Sequence, residues 1–226
     1  YGSYNCSGPQ MFVHDDVKSA IPFMKKSHAE GKPFFINLWM HEPHTPFHVD
    51  PKLQKLFPDL PEADNIYAAT LYHADLRIGQ LLDALDDLKI SDQTLVIFSS
   101  DNGPARGSPN SPIALSYDSA TGPGYGIGAA KGITGGRRAF KGALMEGGIG
   151  VPFIARWPGK ISAGKVDKTS VLSAVDLLPT FCELGNVKLP KSYKPDGISQ
   201  VSALMGKGNP LRKKPIFWRM SAPWPA

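Results

Sequence analysis

The sequence predicts an α/β fold in which helices cover both faces of a mostly parallel sheet. Two continuous apolar runs of strand length, residues 34–40 and 94–98, each end abruptly at polar or proline-rich positions. Residues 62–89, which lie between the two runs, carry apolar side chains at helical spacing. Strands that alternate with helices indicate a parallel sheet, because parallel neighbours need a crossover connection that a helix usually provides.

The composition indicates one globular domain over residues 1–226. Hydrophobic residues make up 42% of the chain and charged residues 20%, which is typical of globular proteins. No apolar run reaches the roughly 18 residues that span a bilayer, so we expect no membrane partner. The net charge of +5 suits an anionic substrate, but Lys and Arg are spread along the chain, so nucleic acid is not indicated as a partner. The two cysteines, Cys6 and Cys182, provide neither a disulfide framework nor a zinc pattern.

The first predicted helix begins at residues 15–16 and ends near residues 31–33. The run 34–40 follows, and its nearly continuous apolar character predicts a strand that is buried on both faces. It leads into residues 41–46, whose two prolines exclude a continued helix or central strand. His44 is therefore expected on a stiff loop just past a strand end, where it is either a functional group or a solvated surface residue.

Residues 62–89 predict a long covering helix, which leads to the apolar strand and its end at Asp101, Asn102 and Gly103. The neighbouring oxygens of Asp101 and Asn102 suit a hard cation such as calcium or magnesium. These two donors do not complete a calcium site, which takes about six to eight oxygens, and a strand-ending turn is the alternative interpretation. The apolar stripe of the helix comprises Leu71, Ala74, Ile78, Leu81, Leu85 and Leu88.

Residues 103–150 are rich in glycine, proline and serine, which predicts a long loop region with a functional role. Its glycine-rich segment 124–128 does not predict a nucleotide site, because no strand precedes it and no Ser or Thr follows a Gly-Lys pair. Further along, glycines bracket Lys141, which allows a close approach of the backbone to a ligand while the ammonium attracts an anion. An ordinary surface lysine is the alternative.

The remaining elements are a strand over residues 151–157 and a short helix that Asp176 begins and Gly185 closes. Residues 187–226 form a loose tail that is rich in proline, lysine and glycine, with a possible last strand at residues 216–218.

Taken in this order, the motifs resemble those of the arylsulfatase-like sulfatases of the alkaline-phosphatase superfamily. Any one motif can arise by chance, but several in the right order at plausible spacing are specific. The resemblance implies an alkaline-phosphatase-like fold and a sulfuric ester hydrolase that acts on a sulfated small molecule or glycan. The matching segments are residues 33–46, 67–88, 100–103, 141–148, 151–159, 176–180 and 196–199.

Carried over to this chain, the resemblance implies roles for four residues. Asp101 and Asn102 would be two ligands of a calcium ion, less often magnesium, and His44 and Lys141 would contact the sulfate group. Three other basic residues would either line an anionic pocket or form a solvated basic loop. They are Lys131, Arg137 and Arg138.

Two departures from the family pattern shape the expectation for this chain. Sulfatases of this type use a formylglycine nucleophile that is matured from Cys or Ser in a Cys/Ser-x-Pro-x-Arg motif, and neither Cys6 nor Cys182 lies in such a motif. Gly150 also stands where the family often has arginine. We therefore expect a middle-to-C-terminal fragment that is incomplete at the N-terminal side and inactive alone, with formylglycine in the part of the protein that precedes it.

Two alternatives remain open. In the first, the parent protein is a phosphonate or phosphate ester hydrolase of the same superfamily. In the second, the segment is non-catalytic and either binds sulfated glycans or has a structural role. A sheet that lacks its N-terminal strands is expected to leave an uncovered edge or apolar patch, through which copies can associate. Localisation does not follow from the residues, and the resemblance implies a secreted, periplasmic or lysosomal protein.

Overall fold

A computed structural model describes residues 15–108, 110–119 and 122–219. The chain forms two compact units. The first takes the residues up to Ile90 and then Asp101–Val151, and the second takes Ser91–Ser100 and the residues from Pro152 onward. In the described part of the chain, no helix has both the length and the apolar character needed to cross a membrane. Cys6 lies outside the described residues.

Two helices dominate the first unit and confirm the predicted helical segments. Helix α1 spans Asp15–Ala29 and buries Val17, Ala20 and Met24. The unit also contains the short helix α2, Pro51–Gln54, and the long helix α3, Glu62–Asp87.

The predicted apolar stripe of α3 is only partly correct, because Leu71 is 44% exposed. The first half of the helix instead buries Ile66, Ala69 and Thr70, which follow one another at helical spacing. Small side chains at two of these positions allow the helix to approach the core closely, so this face is buried although Leu71 is more apolar.

The core of the first unit lies between α3 and a small antiparallel sheet. Strand β1, Phe47–His48, pairs with β4, Gly122–Tyr125, which pairs in turn with β3, Ala114–Ser119. Phe47 lies opposite Tyr125, so the region predicted as one long loop contains strands that pack beside the histidine-containing segment. A short helix α4, Glu146–Ile149, lies in the same region. The buried cluster comprises Phe47, Val49, Ile66, Ala69, Ala129 and Ala130.

The second unit contains strands β2, Val96–Ser99, and β5, Phe153–Arg156, and helices α5, Leu177–Leu184, and α6, Val201–Leu204. The strands and the short helix α5 lie where the sequence predicted them. The parallel sheet, however, is not found among the described strands, since every pair, including β2 with β5, is antiparallel. The alternation of helices and strands does not itself specify direction, and the segment between β2 and β5 supplies no long crossover helix.

Residues 34–40 do not form the predicted strand that is buried on both faces. The segment belongs to neither sheet of the described residues, and its side chains alternate between half-buried and exposed. Phe35 is 67% exposed and Trp39 is 82% exposed. An apolar run predicts that a segment favours burial but does not provide the neighbouring strand that a ladder requires. Self-association through such exposed apolar groups stays a prediction.

The possible last strand at residues 216–218 is also absent from both sheets of the described chain, and Phe217 is 83% exposed. Asp176 precedes α5 as predicted, but its fully buried carboxylate does not cap that helix. It accepts hydrogen bonds from the backbone N–H groups of Ser173 and Ile198 and forms an ion pair with Arg212.

His48 in β1 makes the stability of the first unit sensitive to acid. Its side chain is buried, and burial lowers the pKa of the imidazole below the ordinary value of 6.5, with a further lowering by His41. In the unfolded chain the ordinary pKa returns, so between the two pKa values the unfolded state binds more protons. This part of the stability is complete above pH 6.5 and is lost as the pH falls from there toward the folded-state pKa.

We therefore expect the unfolding temperature of the wild type to fall more between about pH 7.5 and about pH 5 than that of His48→Gln. Glutamine does not titrate in this range, so the difference between the two pH profiles reports on His48 together with its interaction with His41. Thermal unfolding followed by circular dichroism measures the difference. Identical pH profiles for the two proteins would show that His48 does not titrate differently on folding.

Candidate functional site

His44 lies on a tight loop, residues 41–46, which we call the histidine loop. The backbone N–H of His44 donates to the carbonyl of His41 at 2.8 Å, and the His41 Nε2–H donates to the carbonyl of Pro46 at 3.2 Å. The peptide bonds that precede both prolines are cis. The two hydrogen bonds close the loop on itself, and the His44 side chain is exposed.

Lys141 lies on a second loop, residues 134–148, which we call the lysine loop. Gly142 follows Lys141 directly and has a φ of +90°, a backbone conformation that favours glycine. The N–H of Ala143 donates to the carbonyl of Phe140 at 3.1 Å, so the chain turns sharply around Lys141. Gly142 thus serves the turn of the chain, whereas the predicted close approach of the backbone to a ligand stays a prediction.

The two loops bring His44 and Lys141 into contact, although they are 97 residues apart in the sequence. The Lys141 Nζ atom lies 2.8 Å from His44 Nε2, while His44 Nδ1 lies 2.5 Å from the carbonyl oxygen of Thr45. A carbonyl oxygen only accepts, so Nδ1 carries the proton and donates it to Thr45. Nε2 then accepts a hydrogen bond from the Lys141 ammonium, which requires a neutral imidazole. The exposed Lys141 ammonium keeps further N–H donors beside His44, and such a fixed cationic donor suits the binding of an anion.

The segment after β2 is joined to the lysine loop by two backbone hydrogen bonds. The N–H of Gly103 donates to the carbonyl of Gly148 at 2.8 Å, and the N–H of Lys141 donates to the carbonyl of Pro104 at 2.9 Å. A Cβ atom on Gly103 would lie 1.9 Å from the carbonyl oxygen of Gly147, so only glycine permits this approach. The backbone of Lys141 is thereby fixed relative to Gly103 and Pro104.

Asp101 and Asn102 lie at the start of this joined segment. Asp101 is exposed, and its Cα is at most about 11 Å from that of Pro104 by the length of three virtual bonds. The Asn102 Nδ2–H donates to the carbonyl of Gly103 at 2.8 Å, which orients the amide. A carboxylate and an amide oxygen fit the preference of calcium or magnesium. Among residues 15–108, 110–119 and 122–219, no group of three or more His, Cys, Asp or Glu side chains is arranged to hold a metal, and the calcium or magnesium site stays a prediction.

A buried acid–base pair supports the histidine loop, and sequence reasoning did not predict it. The side chain of Glu42 is 3% exposed, and its Oε1 lies 2.9 Å from Nδ1 of His73 on α3. The Nε–H of Arg77, one turn further along the helix, donates to His73 Nε2 at 3.4 Å. Glu42 Oε2 is buried and has no hydrogen-bond partner in the described part of the chain. The only sequence signal was the position of Glu42 within the motif that contains His44.

The basic side chains within the segment 103–150 have different environments. Lys131 forms an ion pair with Asp64 at 3.3 Å, and Arg137 donates to the carbonyl of Gly150 at 3.4 Å. Arg138 is exposed. Arg106, which sequence reasoning did not single out, lies over the ring of Phe140 with its Cζ 5.4 Å from the ring centroid. The predicted anionic pocket formed by Lys131, Arg137 and Arg138 therefore stays a prediction.

Comparison of the sequence with known families and proteins points in one direction. The family model of Sulfatase matches residues 1–187. The chain is 31% identical to arylsulfatase G of Rattus norvegicus over 84% of its own length and 33% of that relative. It is 30% identical to N-acetylgalactosamine-6-sulfatase of Canis lupus familiaris over 89% of its own length and 34% of that relative. The chain thus spans about a third of the length of the curated relatives it matches.

Solved structures are similar over most of the chain. A crystal structure of Ps i-CgsB in complex with k-i-k-neocarrahexaose has a TM-score of 0.71 and 29% identity, and it covers 87% of this chain and 39% of the other. The PsFucS1 sulfatase from Pseudoalteromonas sp. has a TM-score of 0.65 and 27% identity, with coverage of 87% and 34%.

Proposed function

Because this chain belongs to the sulfatase family, we propose that it is part of a sulfuric ester hydrolase and supplies the anion-binding side of the active site. The observation that carries this proposal is the 2.8 Å contact between Lys141 Nζ and His44 Nε2. Two cationic or hydrogen-bonding nitrogens on separately stabilised loops are suited to hold a tetrahedral anion. The substrate class is a sulfated small molecule or glycan.

Lys141 acts as the point charge for the sulfate. Its ammonium donates hydrogen bonds to the sulfuryl oxygens and offsets the negative charge that they carry during the reaction. The backbone bond from Lys141 to Pro104 and the turn at Gly142 hold the residue in place. A fixed charge stabilises the developing anion without the cost of reorganisation during the reaction.

His44 acts on the ester oxygen that leaves. When a sulfate ester binds, its oxygens replace Nε2 as acceptors of the Lys141 hydrogens, and Nε2 is then able to carry a proton. Nε2 takes up this proton from solvent when the ester binds. As an attacking oxygen from outside this chain forms its bond to sulfur, the bond from sulfur to the ester oxygen breaks, and Nε2–H gives its proton to that oxygen, so that a neutral alcohol departs. The bond from Nδ1–H to the carbonyl of Thr45 keeps the ring in the orientation that this transfer needs.

Asp101 and Asn102 would hold a calcium or, as the alternative, a magnesium ion through one carboxylate and one amide oxygen. Such an ion would supply positive charge that offsets the charge of the sulfate group. The nucleophile is expected to be a formylglycine in a Cys/Ser-x-Pro-x-Arg motif, to which neither cysteine of this chain corresponds. The described Cys182 lies in α5. We therefore propose that this chain alone binds the anion but does not turn over the ester.

Sulfate binding by the chain tests this proposal directly. Isothermal titration calorimetry with inorganic sulfate is expected to show binding by the wild type, and Lys141→Ala and His44→Ala are each expected to weaken it about tenfold or more, the effect of losing a charge-assisted or well-placed hydrogen bond. Lys52→Ala is the matched control, since Lys52 is an exposed lysine on α2 whose removal changes the net charge equally. Equal losses in all three variants would indicate only nonspecific attraction and would contradict the proposal.

Hydrolysis assays distinguish a sulfate ester hydrolase from a phosphate ester hydrolase and from a non-catalytic glycan-binding protein. The complete protein is expected to hydrolyse 4-methylumbelliferyl sulfate in preference to the corresponding phosphate, whereas the chain alone is expected to hydrolyse neither. Hydrolysis of the phosphate only would identify a phosphate ester hydrolase. Sulfate binding without any hydrolysis by the complete protein would favour a non-catalytic, glycan-binding role.

A further inference from the structure

Arg106 packs against the lysine loop through a cation–π contact. Its guanidinium lies over the ring of Phe140, with 5.4 Å between Cζ and the ring centroid. Phe140 immediately precedes Lys141, whose own side chain turns to His44. A guanidinium over an aromatic face keeps its planar N–H donors and loses less freedom when it binds an acceptor. Arg106 therefore contacts the residue that immediately precedes Lys141 in the lysine loop.

The backbone on both sides of Arg106 is fixed. Pro104 accepts the hydrogen bond from the backbone of Lys141 at 2.9 Å. A Cβ atom on Gly107 would lie 2.5 Å from the carbonyl oxygen of Ala130, which shows how tightly that residue packs. The backbone that flanks Arg106 is thus restrained, and its guanidinium rests on the Phe140 ring. Its position relative to Lys141 is set by the fold and not by the freedom of a long side chain.

The positive charge at this place is not balanced by neighbouring acids. No carboxylate of the described residues forms an ion pair with Arg106, Arg138 or Lys141. Lys131, in the same region of the chain, is paired with Asp64 at 3.3 Å. A cation without an acidic partner attracts anions to its surroundings. The arginine adds a planar fork of donors that matches a sulfate or carboxylate, which a lysine does not provide.

We propose that Arg106 is a specificity-determining residue that binds a second anionic group of the substrate, a sulfate or a carboxylate carried by the same molecule as the scissile sulfate. The proposal rests on the proposed function of Lys141 and His44, and it narrows the substrate class to compounds with at least two anionic groups. Arg106 takes no part in the chemical step. Its contribution is to affinity and to the choice between singly and multiply charged substrates.

The test compares two probes that differ in one anionic group, glucosamine 6-O-sulfate and N-sulfoglucosamine 6-O-sulfate. Calorimetry at about 150 mM salt, which screens general attraction, is expected to show that the wild type binds the disulfated probe about tenfold more tightly. We call the affinity for the disulfated probe divided by that for the monosulfated probe the affinity ratio. Arg106→Ala is expected to reduce this ratio to about twofold, and Arg106→Lys to an intermediate value, because lysine keeps the charge but lacks the planar pair of N–H donors. Phe140→Leu, which removes the ring, is expected to lower the ratio as well.

Lys52→Ala is the matched control, since Lys52 is an exposed cation on α2, outside both the histidine loop and the lysine loop. It is expected to leave the ratio unchanged. A wild type without preference for the disulfated probe, an unchanged ratio in Arg106→Ala, or an equal loss for both probes in that variant would each overturn the second-anion role. Lys141→Ala reports separately on the proposed function, because it is expected to weaken both probes. If it weakens neither, the proposed sulfate site itself is wrong.

Discussion

Gly147→Ala is expected to destabilise the first unit by about 3 kcal/mol and to abolish sulfate binding, the cost being at the upper end of the range for overpacked positions. A Cβ atom at this position would lie 2.0 Å from the carbonyl oxygen of Ala139 and 2.6 Å from that of Arg138. Both neighbours are backbone atoms, so no side-chain rotation relieves the clash. The backbone has to move, and the 2.8 Å bond from the N–H of Gly147 to Arg138 is lost.

The backbone shift would extend to Lys141, because closely packed glycines join the lysine loop to the segment that contains Gly103 and Pro104. Gly103 donates to Gly148, and a Cβ atom on Gly103 would lie 1.9 Å from the carbonyl oxygen of Gly147. Gly103→Ala is therefore a second variant with the same expected result. Urea unfolding measures the stability, and calorimetry with inorganic sulfate measures the site.

Gly79→Ala is the control for a glycine-to-alanine change. Gly79 lies within α3, and a Cβ atom there would have nothing within 4 Å. Alanine is the better helix former, so we expect this variant to be more stable by about 0.5–1 kcal/mol and to bind sulfate normally. If Gly147→Ala were as stable as the wild type and still bound sulfate, the close approach of these backbones would not be what holds Lys141.

The second large effect is expected at the buried pair beneath the histidine loop. His73→Phe is expected to cost about 3–5 kcal/mol, because it leaves the Glu42 carboxylate buried without the donor that lies 2.9 Å away. Phenylalanine keeps the size of a ring, so the loss reports on the charge and not on a cavity. Glu42 lies two residues before His44, and we expect sulfate binding to weaken as the loop shifts. Urea unfolding and sulfate calorimetry are the measurements.

The double variant Glu42→Leu with His73→Phe separates an uncompensated charge from lost packing. Replacing both partners by apolar groups is expected to recover most of the stability, since a buried ion pair is often replaceable without loss. Glu30→Ala is the control on an exposed pair, in which Lys32 Nζ lies 2.8 Å from Glu30 Oε2 with side chains 70% and 40% exposed. We expect it to change stability by less than about 0.5 kcal/mol. A cost for His73→Phe as small as that of the control would show that the Glu42 carboxylate is not held by His73.

Local patterns in the sequence were sufficient to locate several elements. The spacing of Val17, Ala20 and Met24 predicted α1, and the polar stop after residues 94–98 predicted the end of β2. Residue spacing, capping residues and turn residues act over a few positions of the chain, so they can be recognised without knowledge of the tertiary structure. The candidate residues His44, Lys141, Asp101 and Asn102 were also singled out from local chemistry, with a non-functional alternative left open for each. Their expected roles came from the resemblance of whole motifs to a family.

Long-range contacts were beyond the reach of these patterns. An apolar run indicates that a segment favours burial, but nothing in residues 34–40 specifies a partner strand, and nothing in β2 and β5 specifies their antiparallel direction. Pairs such as Glu42 with His73 and Arg106 with Phe140 depend on where the backbone places residues that are 31 and more positions apart. The 2.8 Å contact between His44 and Lys141 joins residues 97 positions apart. Such distances follow from the packing of loops against helices and strands, because only folding brings those side chains within reach of one another.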